Sequence, residues 1–171
     1  MEHTKDSFEI SIKDDFFDTD RFTQIYNEVP YQRYTANAKV STLPHVCFLA
    51  PVPPALTEYI KERCEEMFNK KLNITFSSLL LSKPDEPRYH RDYDENCSHQ
   101  ILIYIRGKQE LHKGTGFYVR NGDDYELNTH IGFRENRAIF WDARAYHSPL
   151  TFAADDKNKR FSMKVHFKEI K

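Results

Sequence analysis

The spacing of apolar residues changes character near Lys71. Upstream, Phe8, Ile10 and Ile12 alternate with polar residues, as a half-buried strand does. Phe22, Ile25, Tyr26 and Val29 then recur every three to four positions. That spacing predicts a helix, with Asp18, Thr19 or Asp20 at its cap and Pro30 at its end. His45 to Ala50 reads as a short strand broken by Pro51, Pro53 and Pro54. A second helix starts near Pro54, with Leu56, Tyr59, Ile60, Cys64, Met67 and Phe68 on one face and Glu and Lys on the other, and stops by Lys71.

Beyond Lys71 the segments are strand-like. Ile74 to Leu81, Ile101 to Ile105, Gly116 to Val119, Arg137 to Trp141 and Phe161 to Phe167 are short apolar or alternating runs. Between them lies turn chemistry: Lys83-Pro84-Asp85, Gly114, Asn121-Gly122 and Ala154 to Asn158. Two helices followed by many short strands predict an α+β domain, with a barrel or double sheet and helices packed outside. The whole chain, 1–171, is expected to form one domain, with 1–71 as mixed helical support and 72–171 as the core.

Composition narrows the function classes. Twenty-four aromatics, 14% of the chain, can fill a core or line a pocket. The 25 Lys and Arg nearly cancel the 26 Asp and Glu, which argues against nucleic-acid binding by bulk charge. No apolar run approaches the roughly 18 residues of a membrane helix, and the N-terminal residues lack a signal-peptide core. Cys47, Cys64 and Cys97 are odd in number and far apart, so the expectation is a reduced, cytoplasmic protein.

The chemistry concentrates in Tyr89-His90-Arg91-Asp92. On a strand, His90 and Asp92 would share a face, where an imidazole and a carboxylate can hold a divalent metal. A third ligand is needed, and His147, 55 positions beyond Asp92, is the best candidate. Two His and one carboxylate on one face of a metal leave positions open for reactants. The bland alternative is strong on spacing alone, because His-x-Asp recurs by chance and the chain has 8 histidines.

Arg160 to Phe167 adds a second signal. Phe161, Met163, Val165 and Phe167 form one face, and Arg160, Ser162, Lys164 and His166 the other. Facing a cavity, Arg160 would need an anion, and its fork suits a carboxylate, with Ser162 adding a hydrogen bond. The alternative is a solvated outer face, which Lys164 favours.

The ordered set His90-x-Asp92, Gly114-Thr115-Gly116-Phe117-Tyr118, His147 and Arg160-x-Ser162 resembles the Fe(II)- and 2-oxoglutarate-dependent oxygenases, with the small prolyl-hydroxylase-like branch the nearest in pattern. The resemblance runs from Ser77 to Phe167 and implies a double-stranded β-helix core, jelly-roll or cupin-like, with supporting N-terminal helices. Carried onto this chain, it implies His90, Asp92 and His147 as catalytic iron ligands. Arg160 would bind the distal carboxylate of 2-oxoglutarate, assisted by Ser162. Tyr104 resembles a cosubstrate-binding tyrosine of the branch, with a plain core aromatic as its nearly equal alternative. The step from His147 to Arg160 is 13 positions, longer than the branch leads one to expect, which fits a loop at Ala153 to Lys159.

The implied activity is hydroxylation of a C–H bond, with Fe(II), 2-oxoglutarate and O2 consumed or bound, ascorbate as a supporting reductant, and succinate and CO2 released. The substrate would be a small molecule or a protein side chain. Tyr89, Phe117, Tyr118, Trp141 and Tyr146 could wall the site, and Arg88, Arg134, Arg137 and Arg144 either hold an acidic group or are surface charges. Two other readings stay open: a cupin-like metal enzyme that does not use 2-oxoglutarate, and an inactive jelly-roll binding domain.

Overall fold

The computed structural model describes residues 8–28, 39–40, 46–82, 89–150 and 160–170. In chain order the elements are β1 (Ile10–Lys13), α1 (Thr19–Glu28), β2 (Lys39–Val40), β3 (Val46–Ala50), α2 (Pro54–Phe68), β4 (Lys71–Ser82), β5 (His99–Arg106), β6 (Glu110–Asn121), β7 (Asp124–Phe133), β8 (Ala138–Asp142), β9 (Tyr146–Pro149) and β10 (Arg160–Ile170).

The strands form a large sheet of seven, ordered β1-β8-β5-β10-β4-β3-β2, and a small sheet of three, ordered β7-β6-β9. Every pairing in both sheets is antiparallel. His90 adds one rung to the small sheet by bridging His147. The fold is α+β, with the two sheets forming a jelly-roll core.

Period-two alternation divides the core. Ile101, Ile103 and Ile105 of β5, Ala138 and Phe140 of β8, and Met163, Val165 and Phe167 of β10 face the helices, where they join Phe16, Phe17, Ile25, Ile60 and Cys64. The alternate residues, Leu102 and Tyr104 of β5 and Ile139 and Trp141 of β8, meet Phe117, Ile131 and Phe133 of the small sheet. Each such fully buried Ile or Phe contributes about 1.5–3 kcal/mol.

Local chemistry sets the helix ends. The Asp18 carboxylate accepts a 2.9 Å bond from the Arg21 amide at the start of α1. Pro54 opens α2, and Asn69, at φ 49°, ends it in the left-handed region. Asn136 clamps the N-terminal segment by exchanging 2.9 Å hydrogen bonds with the backbone of Phe17 in both directions.

Besides its helices, the N-terminal region contributes strands, β1 and β3 falling on the runs expected to be strands near Ile10 and from His45 to Ala50. β1 extends the large sheet on β8, and β2 and β3 extend it beyond β4. The first helix is described as far as Glu28, Val29 and Pro30 lying outside the described residues, and the second, expected to stop by Lys71, ends at Phe68. Strand β7 went unread because most of its first seven residues are exposed and polar. The expected turns at Lys83 to Asp85 and Ala154 to Asn158 lie outside the described residues. Among the described residues, no helix is long and apolar enough to cross a membrane.

Candidate functional site

His147 lies on β9, opposite Phe117 of β6, and points into the space between the sheets. His90 lies beside it, the two backbones exchanging bonds of 3.1 and 2.9 Å. Asp92 is not on a strand, contrary to expectation. Its amide instead donates to the carbonyl of Ala143 at 3.2 Å, and a turn closed between Asp94 and Cys97 follows. Bridge and turn together bring His90 and Asp92 to the same side without a strand.

One potential ligand atom from each of His90, Asp92 and His147 lies within 4.8 Å of the others. Asp92 Oδ2 is 3.3 Å from His147 Nε2, and Asp92 Oδ1 is 3.9 Å from His90 Nε2. His147 Nδ1 sits 3.1 Å from the carbonyl of Ala145, which can only accept, so Nδ1 carries the proton. Burial pushes the His147 pKa down to about 4 against the pull of Asp92, so the ring is neutral at pH 7. A neutral ring with its proton on Nδ1 turns the Nε2 lone pair toward a carboxylate oxygen. Two acceptors this close call for a cation between them, and the donor set of two imidazoles and a carboxylate fits Fe(II).

Lys164 supplies part of that positive charge. Its Nζ donates to Asp92 Oδ2 at 2.7 Å, and its side chain is only 15% exposed. The alternative of a solvated outer face, which Lys164 favoured, does not hold: Arg160, Ser162 and Lys164 all line the cavity between the sheets. Burial works to raise the Asp92 pKa, but the Lys164 ammonium donating to it holds it far below the usual carboxylate range.

The cavity, about 70 Å³, runs from His90, His147 and Lys164 past Leu102 and Ser162 to Tyr104, Thr115 and Arg160. It is large enough for several waters or a small acid. Arg160 is 5% exposed, and its guanidinium lies 4.5 Å over the Phe133 ring. One of its nitrogens, Nη2, donates to Glu110 Oε2 at 2.8 Å. The Tyr104 hydroxyl, 2.6 Å from Thr115 Oγ1, has a pKa pushed up to about 12 by burial and stays protonated.

Glu110 and Thr115 were not singled out from the sequence as site residues. Thr115 was within reach as part of the Gly-Thr-Gly-Phe-Tyr segment, whereas Glu110 carries no local signal. Of the expected wall residues, Trp141 lines the cavity and Phe117 packs edge-on against it. Tyr89, Tyr118 and Tyr146 instead cluster with Tyr125, on the face of β6 and β9 opposite Phe117 and His147. Arg134 and Arg137 pair with Asp14, and Arg144 pairs with Asp142. Arg88 lies outside the described residues, as does the loop from Ala153 to Lys159.

No family model matches the sequence, and no curated protein matches it. Solved structures do match. A Pseudomonas putida prolyl-4-hydroxylase aligns at TM-score 0.65 and 10% identity, over 96% of this chain and 94% of its own. A viral collagen prolyl hydroxylase from Paramecium bursaria Chlorella virus-1, in complex with 2-oxoglutarate, aligns at TM-score 0.62 and 14% identity, over 98% and 99%. The non-haem α-ketoglutarate-dependent epimerase SnoN from nogalamycin biosynthesis aligns at TM-score 0.69 and 12% identity, over 93% and 77%. The chain thus has the fold of the Fe(II)- and 2-oxoglutarate-dependent oxygenases, prolyl hydroxylases among them.

Proposed function

We propose that this protein is an Fe(II)- and 2-oxoglutarate-dependent dioxygenase that hydroxylates a C–H bond of a small molecule or a protein side chain. One observation carries the reading. The ligand atoms of His90, Asp92 and His147 converge within 4.8 Å beside a cavity that also holds the buried Arg160. His90, Asp92 and His147 would hold the iron. Arg160, Ser162 and Tyr104 would receive the distal carboxylate of 2-oxoglutarate. When bound, iron and cosubstrate supply the oxidising power: one O2 converts 2-oxoglutarate to succinate and CO2 and leaves one oxygen atom in the substrate.

The chain's own residues do the rest. The Ala145 carbonyl fixes the His147 tautomer and aims Nε2 at the metal position. Lys164 holds Asp92 ionised and turned inward. Trp141, Phe133 and Leu102 keep the cavity apolar between its polar groups. Tyr104 offers a neutral hydroxyl donor near Arg160.

A second reading, a metal enzyme that does not use 2-oxoglutarate, is favoured by one contact: Arg160 already holds the Glu110 carboxylate. Succinate formation from 2-oxoglutarate with Fe(II), ascorbate and air, without other substrate, separates the readings. Slow succinate release that disappears in His90→Ala is expected. No succinate, together with no Fe(II)- or 2-oxoglutarate-dependent change in melting, would contradict the oxygenase reading.

A further inference from the structure

The two cations that line the cavity, Lys164 and Arg160, are each held by a carboxylate behind the lining, and the two pairs sum to zero. Lys164 is matched by Asp92 at 2.7 Å, and Arg160 by Glu110 at 2.8 Å. Both partners of the second pair are shielded, with side chains 6% and 10% exposed. A dianionic 2-oxo acid entering alone therefore meets no surplus of positive charge.

The Glu110 contact is built into the backbone. In the β6–β7 ladder, Glu110 pairs with Phe133 and Gly114 pairs with Gly132, so residues 111–113 bulge from β6. The crossing depends on glycine. A Cβ on Gly114 would sit 2.0 Å from the carbonyl oxygen of Ile131, and one on Gly132 would sit 2.1 Å from that of Leu111. The bulge sets Glu110 opposite Phe133, the residue whose ring carries the Arg160 guanidinium. Gly107 completes the fit, since a Cβ there would come within 3.0 Å of both Arg160 Cγ and Phe133 Cζ.

We propose that Glu110 is an internal competitor for the cosubstrate anchor. Its carboxylate holds Arg160 and gives up part of that hold to the distal carboxylate of the incoming acid. Glu110 thereby sets how tightly the protein takes a dicarboxylate, and it makes that binding depend on the metal. The inference rests on the assignment of Arg160 as the anchor. Together the two ion pairs carry no net charge, and a divalent metal and a dianionic acid add none. With the metal absent, the acid would bury two uncompensated negative charges.

Calorimetric titration of 2-oxoglutarate, with and without Mn(II) under anaerobic conditions, tests this in wild type and Glu110→Gln. The amide keeps a hydrogen-bond acceptor for Arg160 and removes the charge. Glu110→Gln should bind 2-oxoglutarate about 10-fold more tightly with Mn(II), the scale of one charge-assisted contact. It should also gain measurable binding without the metal. Glutarate should show the same gain, and pyruvate, which lacks the distal carboxylate, should not. Mn(II) affinity alone should be unchanged. If Glu110→Gln fails to fold, Glu110→Asp, with a shorter reach, should give a smaller gain in the same direction. Equal or weaker binding in the variant, with wild type binding normally, would overturn the role of Glu110 and leave the anchor standing. No binding of 2-oxoglutarate to either protein would overturn the anchor itself.

Discussion

The two ends of the cavity are built from the same parts in opposite roles. Each has a cation from β10, largely shielded from solvent, on a carboxylate distant in sequence: Lys164 on Asp92, and Arg160 on Glu110. The two cations stand four positions apart on β10, about 13 Å of strand. In the proposed reading, the carboxylate is the binding group at the first end and the lysine its placeholder, whereas at the second the arginine is the binding group and the glutamate the placeholder. A buried ion pair is weak evidence for stability, because desolvation offsets much of its attraction. What the two pairs share is charge balance: each cation of β10 meets one carboxylate.

Asp92→Ala should break the first end most severely. Its melting temperature should no longer rise with Fe(II) or Mn(II), and succinate formation should fall to background; an unchanged metal-dependent rise would remove Asp92 from the ligand set. Lys164→Met is gentler. Without metal it should lose about 2 kcal/mol, because the half-buried Asp92 loses its charged donor. Metal should restore most of that loss, so its metal-induced rise in melting temperature should exceed wild type. A smaller rise would show that Lys164 positions the ligand rather than stands in for the ion.

Acid should act on the same end. Burial pushes His166 as well as His147 down to about 4, below the ordinary 6.5. Both imidazoles are neutral in the fold, and the unfolded chain takes up protons first as pH drops. Their contribution is present in full above about pH 6.5 and is lost as pH falls through about 4, at about 3 kcal/mol each. His166→Phe should recover about half of that acid loss in urea melts at pH 4.5, and an unchanged pH profile would refute the assignment. Tyr104→Phe should have the smallest effect. Losing the bond to Thr115 costs about 1 kcal/mol, with a few-fold loss of 2-oxoglutarate affinity and no change in metal affinity.

Several features of the site were legible because they are local. The alternation of β10 separates Arg160 and Ser162 from Met163 and Val165, and the structure keeps that division. The His90-x-Asp92 spacing pointed to one shared side, although a bridge and a turn produce it instead of a strand. Lys164 was given no role because a lysine on an alternating strand favours the solvated alternative, and its partner lies 72 positions away. Glu110 was invisible for a similar reason: it follows Gly107-Lys108-Gln109, a polar stretch that reads as loop, and meets Arg160 only through the β6 bulge. Strand β9 is four residues long, too short for its periodicity to register. Long-range pairing, and not local pattern, decides each of these.

The central claim is that one 2-oxo dicarboxylate joins a metal at His90, Asp92 and His147 to Arg160. Coupling between the two ligands tests it most directly. Calorimetry should show Mn(II) tightening 2-oxoglutarate binding by at least about 10-fold, 2-oxoglutarate tightening Mn(II) by the same factor, and Asp92→Ala abolishing both effects. Binding of 2-oxoglutarate that is indifferent to Mn(II), or coupling that survives Asp92→Ala, would contradict the account.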